Sequence, residues 1–293
     1  MSHTTAEFLS SVNRRSFAPT GQTTFETADI LEIGNEEIKS TILPEILSIR
    51  EEYFVHYTDY AITANQAAYD IPARAVGMIC REVHYLDSAG SVSDLDRMEP
   101  EDVDHTSLTE AIPRAFYLRN NQIMLHRTPS TTQGTLRVYF FLRPGDLIES
   151  SAGATITAID TGTNVVTVGT IVSTWATGDI FDLISKQGGH EYRDFDLTST
   201  TVSGSDITFS SLPSTLSVGD YVALQGQSQV IQLPPDYQPC LAQAVAAFIL
   251  DNMNLPGSEK AYARLSKMLN AAKDMISPRV QGAPRAVLPP DWI

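Results

Sequence analysis

Basic residues are scarce in this sequence: 20 Lys and Arg stand against 35 Asp and Glu over 293 residues, a formal net charge of −15. Gripping phosphates by broad charge neutralisation needs the opposite balance, so duplex DNA is expected to be repelled. Cysteine is nearly absent. Cys80 and Cys240 lie far apart inside apolar segments, which argues against a disulfide framework or a zinc site and predicts reduced, buried thiols and intracellular synthesis. Long apolar runs are missing as well. The most apolar stretch, at 240–250, is too short to span a bilayer, and the N-terminus lacks the charged-then-apolar order of a signal peptide. A soluble protein with no membrane association is expected. No Gly-rich turn is followed by the Lys or the helix that nucleotide binding requires, so no cofactor is expected either.

What is present is a packed globular composition, 42% hydrophobic and 19% charged, at a length that suits about two domains. Residues 1–22 are polar and Ser/Thr-rich with no sustained period, and an extended or disordered arm is expected there. Thr23 followed by Glu26 has the form of a capping box, and Leu31, Ile38, Ile42, Ile46 and Ile49 recur at helical spacing, which predicts a helix over about 25–51. Pro44 inside it removes an amide donor and predicts a kink or break near Ile42. From Tyr53 to 147 the pattern changes to β, with Ile79, Val83 and Tyr85 expected on one face and Asn120-Asn121 as a hairpin turn. Pro100 with Glu101 and Asp102 reads as a short helix start. A single small, mainly antiparallel sheet is expected from this segment.

Residues 148–233 carry 2 bases against 9 acids and are rich in Thr, Ser, Gly and Val, as in short strands joined by tight turns. Residues 161–183 align without gaps onto 202–224, with Gly178-Asp179 matching Gly219-Asp220, so two copies of one small β unit are expected. The linker 185–195, SKQGGHEYRDF, is polar and is expected to be exposed. Two helices follow, carrying stripes Leu241, Val245, Phe248 and Tyr262, Leu265, Leu269, Ala272, Ile276, with Ser258 capping the second. The tail 277–293 holds four prolines and should be extended. The fold class is α+β: a helical hairpin or bundle with a small antiparallel β-sheet, plus an inserted all-β module made of two repeats.

Candidate sites are few. Asp94, Asp96, Glu99, Glu101, Asp102 and Asp104 lack the spacing of a calcium loop, and a solvated helix start explains them, so no metal site is expected. His190-Glu191 with Asp194 resembles a metallopeptidase motif, but the second histidine and the helix are missing. His56, His84 and His126 sit in strand patterns and read as structural. Neither cysteine has a supporting His and acid, so no catalytic residue and no enzyme activity is expected. Arg81, Arg119, Arg127, Arg137 and Arg143 lie on strands beside many acids, where pairing within or between subunits is favoured over DNA contact. In the tail, Arg279 and Arg285 offer charge, and Val287, Leu288 and Trp292 offer apolar anchors for a partner.

The succession ILSIREEYF, AAYDIPARAVGMICREVHYLD, MEPEDVD, PRAFYLRNNQIMLHRTP, GTLRVYFFLRPGDL and LPPDYQPCLAQAVAAFIL resembles the head-to-tail connector, or adaptor, proteins of tailed bacteriophages, especially of short-tailed phages, over about 25–147 and 228–276. The resemblance implies a structural virion protein made in the host cytoplasm. Its subunits would form a homo-oligomeric ring, commonly twelve-fold, under the portal protein, with tail or nozzle proteins and possibly tail fibres as further partners and genomic DNA as passing cargo. It divides the chain into an arm (1–22), an adaptor core (23–147), an inserted β-repeat module (148–228), a helical hairpin completing the core (229–276) and a Pro-rich arm (277–293). Arg279, Arg285, Val287, Leu288 and Trp292 would meet the portal, and Arg81, Arg137 and Arg143 would meet a neighbouring subunit. The alternatives are a carbohydrate-binding or fibre-attachment protein, suggested by the Thr/Ser/Gly-rich repeat, and a hydrolase built on His190, Glu191 and Asp194.

Overall fold

The computed structural model describes residues 4–16, 24–103, 109–110, 112–187 and 189–277. The tail expected over 277–293 lies, except for Ser277, outside the described residues. The first helix among the described residues is α1 (Thr5–Ser16), where an extended or disordered arm was expected. Phe8 and Val12, one turn apart, are both buried, and Arg15 Nη1 donates to Gln243 Oε1 at 3.0 Å. Two apolar positions make too short a stripe to read as a period, and only the surface they pack on makes the segment helical.

Helix α2 (Thr27–Glu37) is capped three residues later than expected. Glu26 is the N-cap and its amide donates to Asp29 Oδ2 at 2.8 Å, while Thr23 lies outside the described residues. A π turn at Ile38–Ile42 then leads into α3 (Leu43–Ile49), and the Leu43 amide reaches back to the Ile38 carbonyl. The widened turn absorbs the donor that Pro44 lacks and relieves its ring clash, so the expected break near Ile42 is a π bulge. Ile30, Leu31, Ile38, Ile42 and Ile46 are buried in the helical core.

The next segment forms strands β1 (Val55–Ala61), β2 (Ala68–Asp70), β3 (Ala75–Leu86), β4 (Val92–Asp94), β5 (Asp96–Arg97), β6 (Thr109–Glu110), β7 (Ala115–Arg119), β8 (Gln122–His126), β9 (Thr128–Pro129) and β10 (Thr135–Leu142). They make two four-stranded sheets, ordered β1-β10-β3-β4 and β2-β8-β7-β5, plus the pair β6-β9, and not one sheet. Each sheet has one apolar face, and Val83, Tyr85, Phe116, Ile123, Leu125, Leu136, Val138 and Phe140 share one core. Asn120 and Asn121 both have positive φ, as the turn requires. Pro100–Asp102 is a single 3-10 turn. Ile79 is 54% exposed while Val83 is 2% exposed, so they do not share a face as expected. The register shift at Arg81, where Glu82 faces Tyr139 and Cys80 faces Phe140, reverses the alternation between them.

Strand β11 (Asp146–Leu147) pairs in parallel with β18 (Gln227–Ser228), tying together the entry and exit of the intervening module. Between them β12 (Ala154–Asp160), β13 (Val165–Val168), β14 (Ile180–Ile184), β15 (Tyr192–Ser203), β16 (Asp206–Phe209) and β17 (Tyr221–Leu224) close a barrel in the order β12-β13-β16-β15-β14-β17. Phe181, Leu183, Ile207, Phe209 and Val222 fill it. Helix α4 (Gln238–Asn252), buried on nearly all sides, and α5 (Ser258–Ile276) complete the helical layer. Gly257, at φ +110°, is the N-cap of α5 in place of Ser258, and Tyr262 stands 41% exposed outside the buried seam of Leu265 and Ala272.

Candidate functional site: the joint between sheet and barrel

A concentration of buried polar groups lies where the barrel meets the sheet of β1 and β10, and Arg74 is its hub. In β14, Phe181 and Leu183 point into the barrel, so Asp182 points out of it. Its side chain is nevertheless 0% exposed because the sheet domain covers it. Arg74 Nη1 donates to Asp182 Oδ1 at 2.9 Å and to Asp196 Oδ1 at 3.0 Å, and Nη2 donates to the Tyr192 hydroxyl at 3.0 Å. Tyr192 passes the chain on, donating to Gln232 Oε1 at 2.7 Å, which also accepts from the Gly145 amide. Asp182 receives two further donors, the amides of Asp196 and Gly226. Burial works to lower the Arg74 pKa but is outweighed by Tyr192, Asp182 and Asp196, so the guanidinium stays charged. Burial raises the Asp182 pKa against the pull of Arg74 and the two amides.

Beside this hub, His56 Nε2 and His190 Nδ1 stand 3.2 Å apart. Burial first, then the Arg74 charge, pushes His56 down to about 4. Burial, His56 and Arg74 together hold His190 well below the usual histidine range, so both imidazoles are neutral at pH 7. Phe54, Tyr192 and Phe195 pack edge-on around the pair. The His190 amide donates to the Tyr53 hydroxyl at 3.2 Å. Gly189 permits that approach, since a Cβ there would lie 2.8 Å from the same hydroxyl, at φ +69°. The linker expected to be exposed is therefore divided: Ser185 and His190 are buried and residues 192–195 are half-buried at the seam, while Lys186, Gln187 and Glu191 face water. An open groove of about 500 Å³ runs alongside, lined by residues 56–59 and 192–196.

The other anticipated residues are dispersed. Glu191 pairs with Arg193 at 2.8 Å and Asp194 accepts from the Phe195 amide, so neither is oriented on His190 as a hydrolytic site needs. His84 lies 3.6 Å from Glu82 and 3.4 Å from Asp94, and contacts the Tyr139 ring. Arg137 forms a two-pronged pair with Asp59 at 2.8 and 2.7 Å and covers the Tyr57 ring, and Arg81 meets Glu51 and Glu82. Arg143 is exposed. Cys80 and Cys240 are free and buried, with thiols pushed up by burial to about 12 and about 11. Among the described residues no group of three His, Cys, Asp or Glu side chains is placed to hold a metal ion, and no helix is long and apolar enough to cross a membrane. Arg279, Arg285, Val287, Leu288, Trp292 and Asp104 lie outside the described residues. Arg74, Tyr192 and Gln232 carry no signal in the sequence. Asp182 carries one, a lone charge inside the apolar strand IFDLI.

Chemically, the joint fastens two bodies together through a buried ion pair and stacked rings, with no nucleophile oriented by a base. Residues 35–165 match the family model described as SU10 adaptor protein, a phage adaptor family. The chain is similar to that family from within α2, through both sheets, to the first residue of β13. The match supports a likeness to phage adaptor proteins over that stretch. No curated protein matches the chain.

Proposed function

We propose that this chain, similar to phage adaptors over residues 35–165, forms the adaptor ring of a short-tailed phage, joining the portal vertex of the head to the tail or nozzle and lining the DNA channel. The observation that carries the reading is that the matched stretch contains the π-bulged helix and both sheets, the scaffold on which every other part is mounted. The net charge of −15 supports a channel role, because an acidic lumen repels phosphates and lets DNA slide. The ring holds twelve copies, and the module 148–228 is the mount for tail proteins or fibres. Its fixed attitude follows from the Arg74 hub, which holds the barrel rigidly to the core.

The module arose by duplication of one β unit. In support, β13 and β16, and β14 and β17, begin 41 residues apart in sequence. Their mutual pairings are also symmetric about Val166↔Ile207 and Asp182↔Ala223. The arm 277–293 reaches the portal, anchored by Trp292 with Val287 and Leu288 and steered by Arg279 and Arg285. Among the described residues the last apolar side chain packed on the helical core is Ile276, and a chain stopped there is expected to keep its fold. It is expected to remain soluble and to fail to join purified portal in a pull-down and in cryo-electron micrographs of assembled vertices. Docking as good as that of the full chain would remove the arm from the portal contact.

A further inference from the structure

In a chain with a large excess of acid, one surface is basic. Lys260, Arg264, Lys267 and Ala271 follow one another at helical spacing along an exposed flank of α5, and Met275, 67% exposed, extends the line. Across the seam, α1 presents Arg14, and Arg15 lies close enough to Arg14 and Arg264 that both repel its charge. Among the described residues none of these five cations has a carboxylate within ion-pair distance. The opposite situation occurs at 94–102, where Asp96, Glu99, Glu101 and Asp102 are exposed and without a cationic partner, and Arg97 is the one base. The two surfaces belong to different layers: α5 packs on α4 and α3, whereas β4 and β5 pack on β3 and β7.

We propose that the α1/α5 face is an inter-subunit contact whose occupant is the 94–102 surface of a second copy of this chain. The inference rests on the ring reading and names the faces that build it. A patch meeting a different patch is the contact that propagates around a ring. Unlike Arg81 and Arg137, which are already paired with carboxylates within the chain, Arg14, Lys260, Arg264 and Lys267 are exposed and keep their charge for a contact between copies. Nucleic acid is the weaker candidate for this patch, since it would leave Met275 in water and would meet the repulsion of the surrounding acids.

The test uses the full chain, mixed as equal parts of ¹⁴N- and ¹⁵N-labelled protein with purified portal and coupled with a zero-length carbodiimide. Isotopically hybrid crosslinks from Lys260 or Lys267 to Asp96, Glu99, Glu101 or Asp102 are expected. Two surface variants should each abolish ring formation by native mass spectrometry: Arg264→Glu with Lys267→Glu, and Glu101→Lys with Asp102→Lys. Their equimolar mixture should restore it, because every junction in an alternating ring then joins opposite charges. Hybrid crosslinks confined to other faces, or a mixture that stays unassembled while the unaltered chain assembles, overturn this contact and leave the ring standing. No hybrid crosslink of any kind, with the portal present, overturns the ring and this contact together. Salt-sensitive duplex binding lost in Arg264→Glu with Lys267→Glu would assign the patch to phosphates instead.

Discussion

At the scale of single residues, Asp182 is the most exposed to a change in its partner, because a fully buried carboxylate is tolerated only while Arg74 and two amides hold it. Arg74→Met should cost about 3–5 kcal/mol by urea unfolding, the range for stranding one half of a buried pair. Adding Asp182→Asn should recover part of that loss, since it removes the stranded charge. The neighbouring histidines make the joint sensitive to acid. An unfolded chain protonates its imidazoles below about 6.5, whereas His56 accepts a proton only near 4 and burial holds His190 well below the usual histidine range. Between pH 6.5 and 4 the unfolded state therefore binds more protons, and stability is lost as the pH falls, by up to about 1.4 kcal/mol per pH unit for each histidine. Unfolding midpoints of the wild type and His56→Asn across this window should converge as the pH is lowered. Parallel curves would show that His56 is not a source of the loss.

At the scale of elements, the bulge at Arg81 in β3 decides which side chains matter. Val83→Ala should cost roughly 0.5–2.5 kcal/mol through the cavity it leaves, while Ile79→Ala should stay within about 0.5 kcal/mol by thermal or urea unfolding. Equal losses would mean that the two share a face, as simple alternation suggests. The kinked helix was legible because a proline inside an apolar stripe has a steric consequence that no packing reverses. Helix α1 was not, because its twelve residues gain their order from burying Phe8 and Val12 on other elements. The same reason explains the second sheet: strands as short as β2 and β5 are defined by their partners and not by their own patterns.

At the scale of the molecule, the barrel is a body with its own core, since Phe181, Leu183, Ile207, Phe209 and Val222 all lie within it, while the helical core and the sheet core draw their buried residues from outside it. Replacing 148–228 with a short Gly/Ser linker should leave a folded remainder with native near-ultraviolet circular dichroism. Its melting temperature should be lower, because Phe54, His56 and Arg74 lose the cover of His190, Tyr192 and Phe195. A molten remainder would show the module to be part of the core and not mounted upon it.

Composition and local pattern by themselves determined the acidic character, the α+β class, the proline break, the Asn120-Asn121 turn, the distinct β composition after residue 148 and the adaptor resemblance, since each depends on residues close in sequence or on a sum over the chain. Only the tertiary structure decided that Arg74 meets Asp182, that His56 meets His190 and that His190, inside a polar linker, is buried. Those contacts join residues more than a hundred positions apart. Burial of a polar side chain depends on whether another surface arrives with matching hydrogen bonds, and that is set by how the domains dock and not by any periodicity along the chain.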